Sequence, residues 1–288
     1  MNYATIEQRA DALLARRGIS GHTAADRFIS DFKAYLVYFS ATGLGDADQT
    51  LKLLEDDSNL TDSSILKTNF KKTLTQLISS RLVNDPIFPR LFKILLDNNG
   101  KGVGAGELAL PLILSGYSFS NESDGMLSTG ERVEIKKNGA SLKPIKTGIT
   151  EKGLVDKLND KYFGGTIPGK KSVKLFEQHL ATVTDPAVYG RYFAELYPGC
   201  DVSKLTEEVK GAYTDPVKFN TAVGRFALKQ YQKVDGWQNI MFIDSDKQMV
   251  VNIANPDKIE SLKLKFSPVL ARRKDTQAIA DGYVNVAF

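Results

Sequence analysis

The run Arg132-Val-Glu-Ile-Lys-Lys137 constrains the fold more than any other part of this chain. Its apolar and charged residues alternate. A strand over it turns Val133 and Ile135 to one face and Glu134 and Lys136 to the other. One face then needs a core, and the other carries a carboxylate and an ammonium side by side. Upstream, Asp124-Gly125 reads as a turn and Met126-Leu127 as part of a neighbouring strand. Pairing of that strand with 131–137 would bring Asp124 near Glu134. Further upstream, the glycine cluster Gly102-Val-Gly-Ala-Gly106 runs into Glu107 and an apolar segment. Glu107 is expected to start a helix that covers the sheet. Pro111 requires that helix to begin near Leu108 or to kink. Three carboxylates and a lysine from this stretch can hold a hard divalent cation and activate water beside a phosphodiester.

Positions 132 to 146 are also locally basic. A strand pair over 132–137 and 141–146 would set Arg132, Lys137, Lys143 and Lys146 on either side of the acids, where a phosphate backbone could run. The overall charge does not make that case, because the formal net charge is only +4. Local clustering has to carry it.

Other chemistries find little support. The one cysteine, Cys200, excludes an internal disulfide framework and a cysteine-based zinc site. His22 and His179 stand apart from each other and read as surface or capping residues. A serine triad or a histidine-ligated metal is therefore not expected. The first residues lack the apolar core of a signal peptide, and no run of about 18 apolar residues occurs. The expected location is the cytoplasm, or the host cytoplasm or virion if the chain is phage-encoded.

The 288 residues suffice for one large domain or two modest ones. Residues 1–98 read as a helical N-terminal region with no strand signal. Ile6, Ala10, Leu13 and Leu14 mark a first helix. Thr23 is the expected cap of a second, whose stripe Phe28, Phe32, Tyr35 and Phe39 reads as core. Asp46 caps a third. Thr61 or Asp62 opens a fourth, with Ile65, Leu66, Phe70, Leu74 and Leu77 inward. Residues 99–288 are then an α/β core with a helical insertion at about 150–214. Asp215-Pro216 starts a helix that runs to about Val234. Lys229 and Gln230 on it are weak candidates for substrate contact. The runs 236–243 and 248–253 are clear strands joined by a turn at 244–247. The tail adds a possible edge strand over 262–266 and the triplet Arg272-Arg-Lys274, which reads as solvated surface.

Asp124, then Glu134-Ile-Lys136, with Glu107 before them, resembles the motif of the PD-(D/E)XK nuclease superfamily over roughly positions 100 to 146. The resemblance implies an α+β fold of restriction-endonuclease-like type, a mixed central sheet flanked by helices. It also implies Mg²⁺-dependent (or Mn²⁺-dependent) hydrolysis of DNA. Asp124, Glu134, the main-chain carbonyl of Ile135 and Glu107 become the metal ligands, and Lys136 the group that orients or deprotonates the attacking water. No proline precedes Asp124, which many members also lack. Two alternatives remain open. A catalytically inactive nuclease-like protein would bind DNA or serve as a structural, phage-type component. Gly100-Lys-Gly-Val-Gly-Ala105 followed by Asp124 also fits a relaxed dinucleotide fingerprint, with Leu91–Leu96 as its strand.

Overall fold

Helical periodicity decides the start of the chain. In the computed structural model, which describes residues 3–20, 25–97, 104, 106–120, 123–142, 161–162, 173–174, 187–196, 199–212, 215–272 and 280–288, three helices come first. They are α1 (Tyr3–Arg16), α2 (Asp26–Ala41) and α3 (Ala47–Glu55). Each buries the stripe its spacing defines: Ile6, Ala10, Leu13 and Leu14; Phe28, Phe32 and Leu36; Leu51 and Leu54. The aromatic stripe of α2 is thus core, and only Tyr38 stands well exposed. Asp46 caps α3 by accepting the Asp48 N–H at 2.9 Å, an interaction of about 1 kcal/mol. Arg9 of α1 bonds Glu55 and Asp48 of α3. Helix α2 begins behind Ala25 without a side-chain cap. Thr23, His22 and His179 lie outside the described residues.

The next segment departs from its helical spacing. Thr61–Asp62 is a short strand, β1; a 3₁₀ turn covers Ser63–Lys67; Phe70–Thr73 is a second strand, β2; and only Leu74–Leu77, α4, is α-helical. The apolar residues expected inside a single helix are still buried at 66, 70, 74 and 77. Pairing decides the backbone instead. β2 forms a four-residue antiparallel ladder with a strand near the C-terminal end of this unit. The Asp62 side chain accepts the Ser64 N–H at 2.8 Å and turns the chain between β1 and β2. Tertiary pairing overrides intrinsic preference here.

Two more helices follow, α5 (Ser80–Val83) and α6 (Phe88–Leu96). Since Leu91–Leu96 belongs to α6, the dinucleotide-binding alternative loses its strand. After α6 come short strands β3 (Leu114–Ser115), β4 (Tyr117–Ser118), β5 (Gly125–Leu127) and β6 (Arg132–Lys137). The chain continues through β7 (Ser141–Leu142), β8 (Val173–Lys174), α7 (Ala187–Leu196), α8 (Val202–Lys210) and α9 (Pro216–Asp235). It ends with β9 (Asn239–Asp244), β10 (Met249–Ile253), β11 (Lys265–Arg272) and β12 (Ala280–Ala287).

These elements form two compact units. One comprises Met1–Lys137 with Trp237–Asn255, the other Asn138–Gly236 with Pro256–Phe288. The division at residue 98 expected from the sequence is not where they separate. The N-terminal helices share one continuous core with the sheet, from Ile6 and Phe28 through Leu91 and Leu110 to Ile135 and Ile243. A helical layer that buries its apolar stripe against a sheet has no separate core to sustain it as a domain.

The first unit holds a six-stranded mixed sheet in the order β2-β10-β9-β6-β5-β4, with β1 and β3 forming a small parallel pair. All neighbours in the larger sheet are antiparallel except β6 and β9. The hairpin β9–β10 forms where the sequence places two strands joined by a turn, and both strands are buried along nearly their whole length. Asn252 of β10 is fully buried and donates to the carbonyls of Leu66 and Thr68.

The second unit has its own antiparallel sheet, β7-β12-β11-β8. Among the described residues, strand β7 pairs with β12 and not with β6, so Ser141–Leu142 does not make the expected hairpin with 132–137; residues 143–146 lie outside the described residues. Helix α9 packs on β11. Both its ends follow from sequence: Asp215 accepts the N–H groups of Val217 and Lys218, and Gly236 closes the helix in the left-handed conformation. The insertion expected at about 150–214 is therefore part of a larger unit that includes the C-terminal strands. Among the described residues, no helix is long and apolar enough to cross a membrane.

Candidate active site

The site is built on β5 and β6. Gly125 pairs with Val133 and Met126 with Arg132, so continuing the register places Asp124 beside Glu134. Along β6, Val133 and Ile135 are buried while Arg132, Glu134 and Lys136 are only partly so. The period-2 alternation therefore sets a polar face above an apolar one. The Ile135 N–H donates to Asp124 Oδ2 at 2.7 Å, which locks the carboxylate against the strand.

Lys136 then reaches back along β6. Its Nζ forms an ion pair and hydrogen bond with Glu134 Oε1, lies 3.2 Å from the carbonyl oxygen of Ile135, and sits 3.6 Å from Asp124 Oδ2. Three oxygens from Asp124, Glu134 and Ile135 thus converge on one cationic atom.

Glu107 reaches the cluster from a different backbone than expected. Residues 106–109 form a turn and Leu110–Leu112 a 3₁₀ turn, so no α-helix follows Glu107. Pro111 lacks the N–H that would continue a helix, and it sits at the opening of the 3₁₀ turn. Gly106 has φ +86°, and a Cβ there would lie 2.4 Å from Ile243 Cδ1; only glycine fits this turn. Glu107 is buried, and its Oε1 accepts the Gly104 N–H at 2.6 Å. It makes no ion pair with Lys136.

The electrostatics couple all four groups. Burial, then the charge of Asp124, raises the Glu107 carboxyl to about 7. Burial, then the charge of Glu134, raises Asp124 as well, although Lys136 and the Ile135 N–H pull it down. Burial alone would lower Lys136, but the charges of Glu134 and Asp124 outweigh it and hold the ammonium above its usual value. Three acids share one base, so the cluster has an excess of negative charge in a partly desolvated place.

An all-oxygen donor set with surplus negative charge fits a hard divalent cation. The Lys136 ammonium stands in for such a cation between Asp124, Glu134 and the Ile135 carbonyl. Among the described residues, no three Asp, Glu, His or Cys side chains are already grouped around one metal position. Two carboxylates and a carbonyl converge, while Glu107 acts on them through its charge.

The expected phosphate-contacting residues are gathered less completely. Arg132 opens β6 on the same face as Glu134 and Lys136, whereas Lys137 alternates to the other face at the exposed end. Lys143 and Lys146 lie outside the described residues. Lys229 is paired with Glu208 and Asp257 in the second unit, and Gln230 is buried. Sequence reasoning missed Tyr117, whose phenol reaches over Gly125 beside Asp124. The Asp-Gly pair was legible only as a turn. No family model, curated protein or solved structure matches this chain.

Proposed function

We infer that the chain is a metal-dependent nuclease that hydrolyses phosphodiester bonds of DNA. The observation that carries this reading is the convergence of Asp124, Glu134 and the Ile135 carbonyl on a single cation position with a buried third acid, Glu107, behind it. Asp124 and Glu134, with the Ile135 carbonyl, would hold a Mg²⁺ or Mn²⁺ ion. When bound, that ion supplies Lewis-acid polarisation of the phosphodiester. Lys136, freed from the carboxylates, orients the attacking water and stabilises the negative charge that builds on the phosphate. Arg132, on the same face, offers a phosphate contact. Glu107 supports the site with a charge that depends on whether a cation is present.

One observation favours a second reading, a nuclease-like protein that binds DNA or builds a structure without cleaving it. Lys136 already satisfies both carboxylates, so the trio can serve as an internal ion pair. Incubation of supercoiled plasmid with the purified protein separates the two readings. Nicking in Mg²⁺ or Mn²⁺ that stops in chelator, and is lost in Asp124→Asn and Glu134→Gln, is the result expected of a nuclease. DNA binding without cleavage in any divalent ion contradicts it. So does cleavage that persists in excess chelator.

A further inference from the structure

The second unit has a cleft of its own. It has a volume of about 610 Å³ and lies between the first turn of α9 and the segment that leads into β11. Its apolar wall is Val217, Ile259, Leu264 and Phe266, and its basic residues are Lys263 and Lys265. Val217 is 75 % exposed, so that wall is open to a ligand. The one acid of the lining, Glu260, is engaged by Arg225. Neither lysine has an ion-pair partner among the described residues. The cleft therefore keeps two uncompensated positive charges beside an apolar surface.

Lys263 adds an independent observation. It follows the 3₁₀ turn Glu260–Leu262 with φ +52° and ψ +47°, the left-handed region that glycine occupies without strain. Among the described residues, the other non-glycine residue at positive φ is Gln248, in the turn between β9 and β10. A glycine would end the turn at 263 more cheaply, yet a lysine stands there and lines the cleft. A side chain kept against such a cost points to a function for it. We propose that the cleft binds a small organic anion, its apolar body against Val217, Ile259 and Leu264 and its anionic head on Lys263 and Lys265. The volume falls in the range of small-molecule sites, and a charge-assisted hydrogen bond from an ammonium fixes the orientation of the head. No residue of the cleft belongs to the first unit, so binding here stands or falls apart from the nuclease reading.

The test uses the full chain and 8-anilinonaphthalene-1-sulfonate, whose fluorescence rises in an apolar site. N-phenyl-1-naphthylamine offers the same body without the sulfonate. Wild type should bind the sulfonate saturably, and the neutral amine about tenfold more weakly. Lys263→Gly removes the ammonium and the strain together. It should raise the sulfonate Kd about tenfold, leave the amine unaffected, and leave the melting temperature unchanged or higher. Val217→Asp sets a negative charge in the cleft at the first turn of α9, where a helix accepts it, and should abolish sulfonate binding with the fold intact. A sulfonate Kd within about twofold of wild type in either variant overturns the site. So does a wild-type chain without saturable binding, or one that binds the amine as tightly as the sulfonate. A melting temperature lowered by Lys263→Gly would make the lysine a part of the fold and overturn its role as well.

Discussion

Each unit of this molecule places one lysine between two carboxylates, and the two trios behave differently. In the first unit Lys136 bridges Glu134 and Asp124; in the second Lys229 bridges Glu208 at 2.9 Å and Asp257 at 2.5 Å. By distance alone the second is the tighter clamp. Its Asp257 side chain, however, is 64 % exposed, against 24 % for Asp124. Water screens the Asp257 side of the second trio, and its members join elements that need fastening: α8, α9 and the turn after β10. The first trio joins residues of one strand and its neighbour, which the sheet already holds. The Ile135 carbonyl oxygen also faces the Lys136 ammonium, and a third acid, Glu107, adds its charge to the cluster without pairing with that ammonium. An ion-paired lysine is therefore no sign of chemistry in itself. Surplus like charge in a desolvated place is the better sign.

The largest expected contrast is in turnover. Asp124→Asn or Glu134→Gln should slow single-turnover cleavage of DNA by about a thousandfold, roughly 4 kcal/mol of barrier, with the fold intact by circular dichroism. Glu208→Gln should leave the rate unchanged. Equal losses in both units would erase the distinction between them.

Removal of the lysines comes next. Lys136→Met leaves three acids together without a base and should cost about 3 kcal/mol at pH 8 in urea denaturation. Part of that loss should return on adding Mg²⁺. Lys229→Met should cost no more than about 1 kcal/mol, with no response to Mg²⁺. A Lys136 variant as stable as wild type would mean that the cluster is not crowded with charge.

The pH dependence gives a smaller effect with a definite sign. The folded-state pKa of Glu107 is raised, to about 7, so folding favours its protonated form. That contribution is fully present below its ordinary value near 4.5 and is lost as pH rises through about 7. Asp124 is raised too and acts in the same sense at lower pH. Metal-free protein should thus lose about 2 kcal/mol between pH 5 and 8. Glu107→Gln should flatten that slope, and saturating Mg²⁺ should reduce it. A slope that survives in Glu107→Gln would assign it to other groups.

What the sequence made legible follows from how local each signal is. The two faces of β6 were readable because six alternating residues define them. The start of helix α9 was readable from Asp215-Pro216 and its end to within a residue, although Gly236, expected to open the next strand, closes the helix instead. The placing of Asp124 beside Glu134 needed only a short turn between paired strands. The residues from 61 to 78 misled because their apolar spacing suits a helix, while the ladder with β10 lies far away in sequence. For the same reason, the partner of Ser141–Leu142 turned out to be β12, more than a hundred residues on. The Lys136 ion pairs and the reach of Tyr117 across Gly125 depend on side-chain direction within a set register. Composition and periodicity do not carry that information.

The most direct measurement is the Mn²⁺ content of the folded chain, followed by electron paramagnetic resonance through a titration. Wild type and Glu208→Gln should each retain Mn²⁺ with the same affinity, and Asp124→Asn should lose it. Affinity unchanged in Asp124→Asn, or no retained Mn²⁺ in wild type, would contradict a cation site on Asp124 and Glu134.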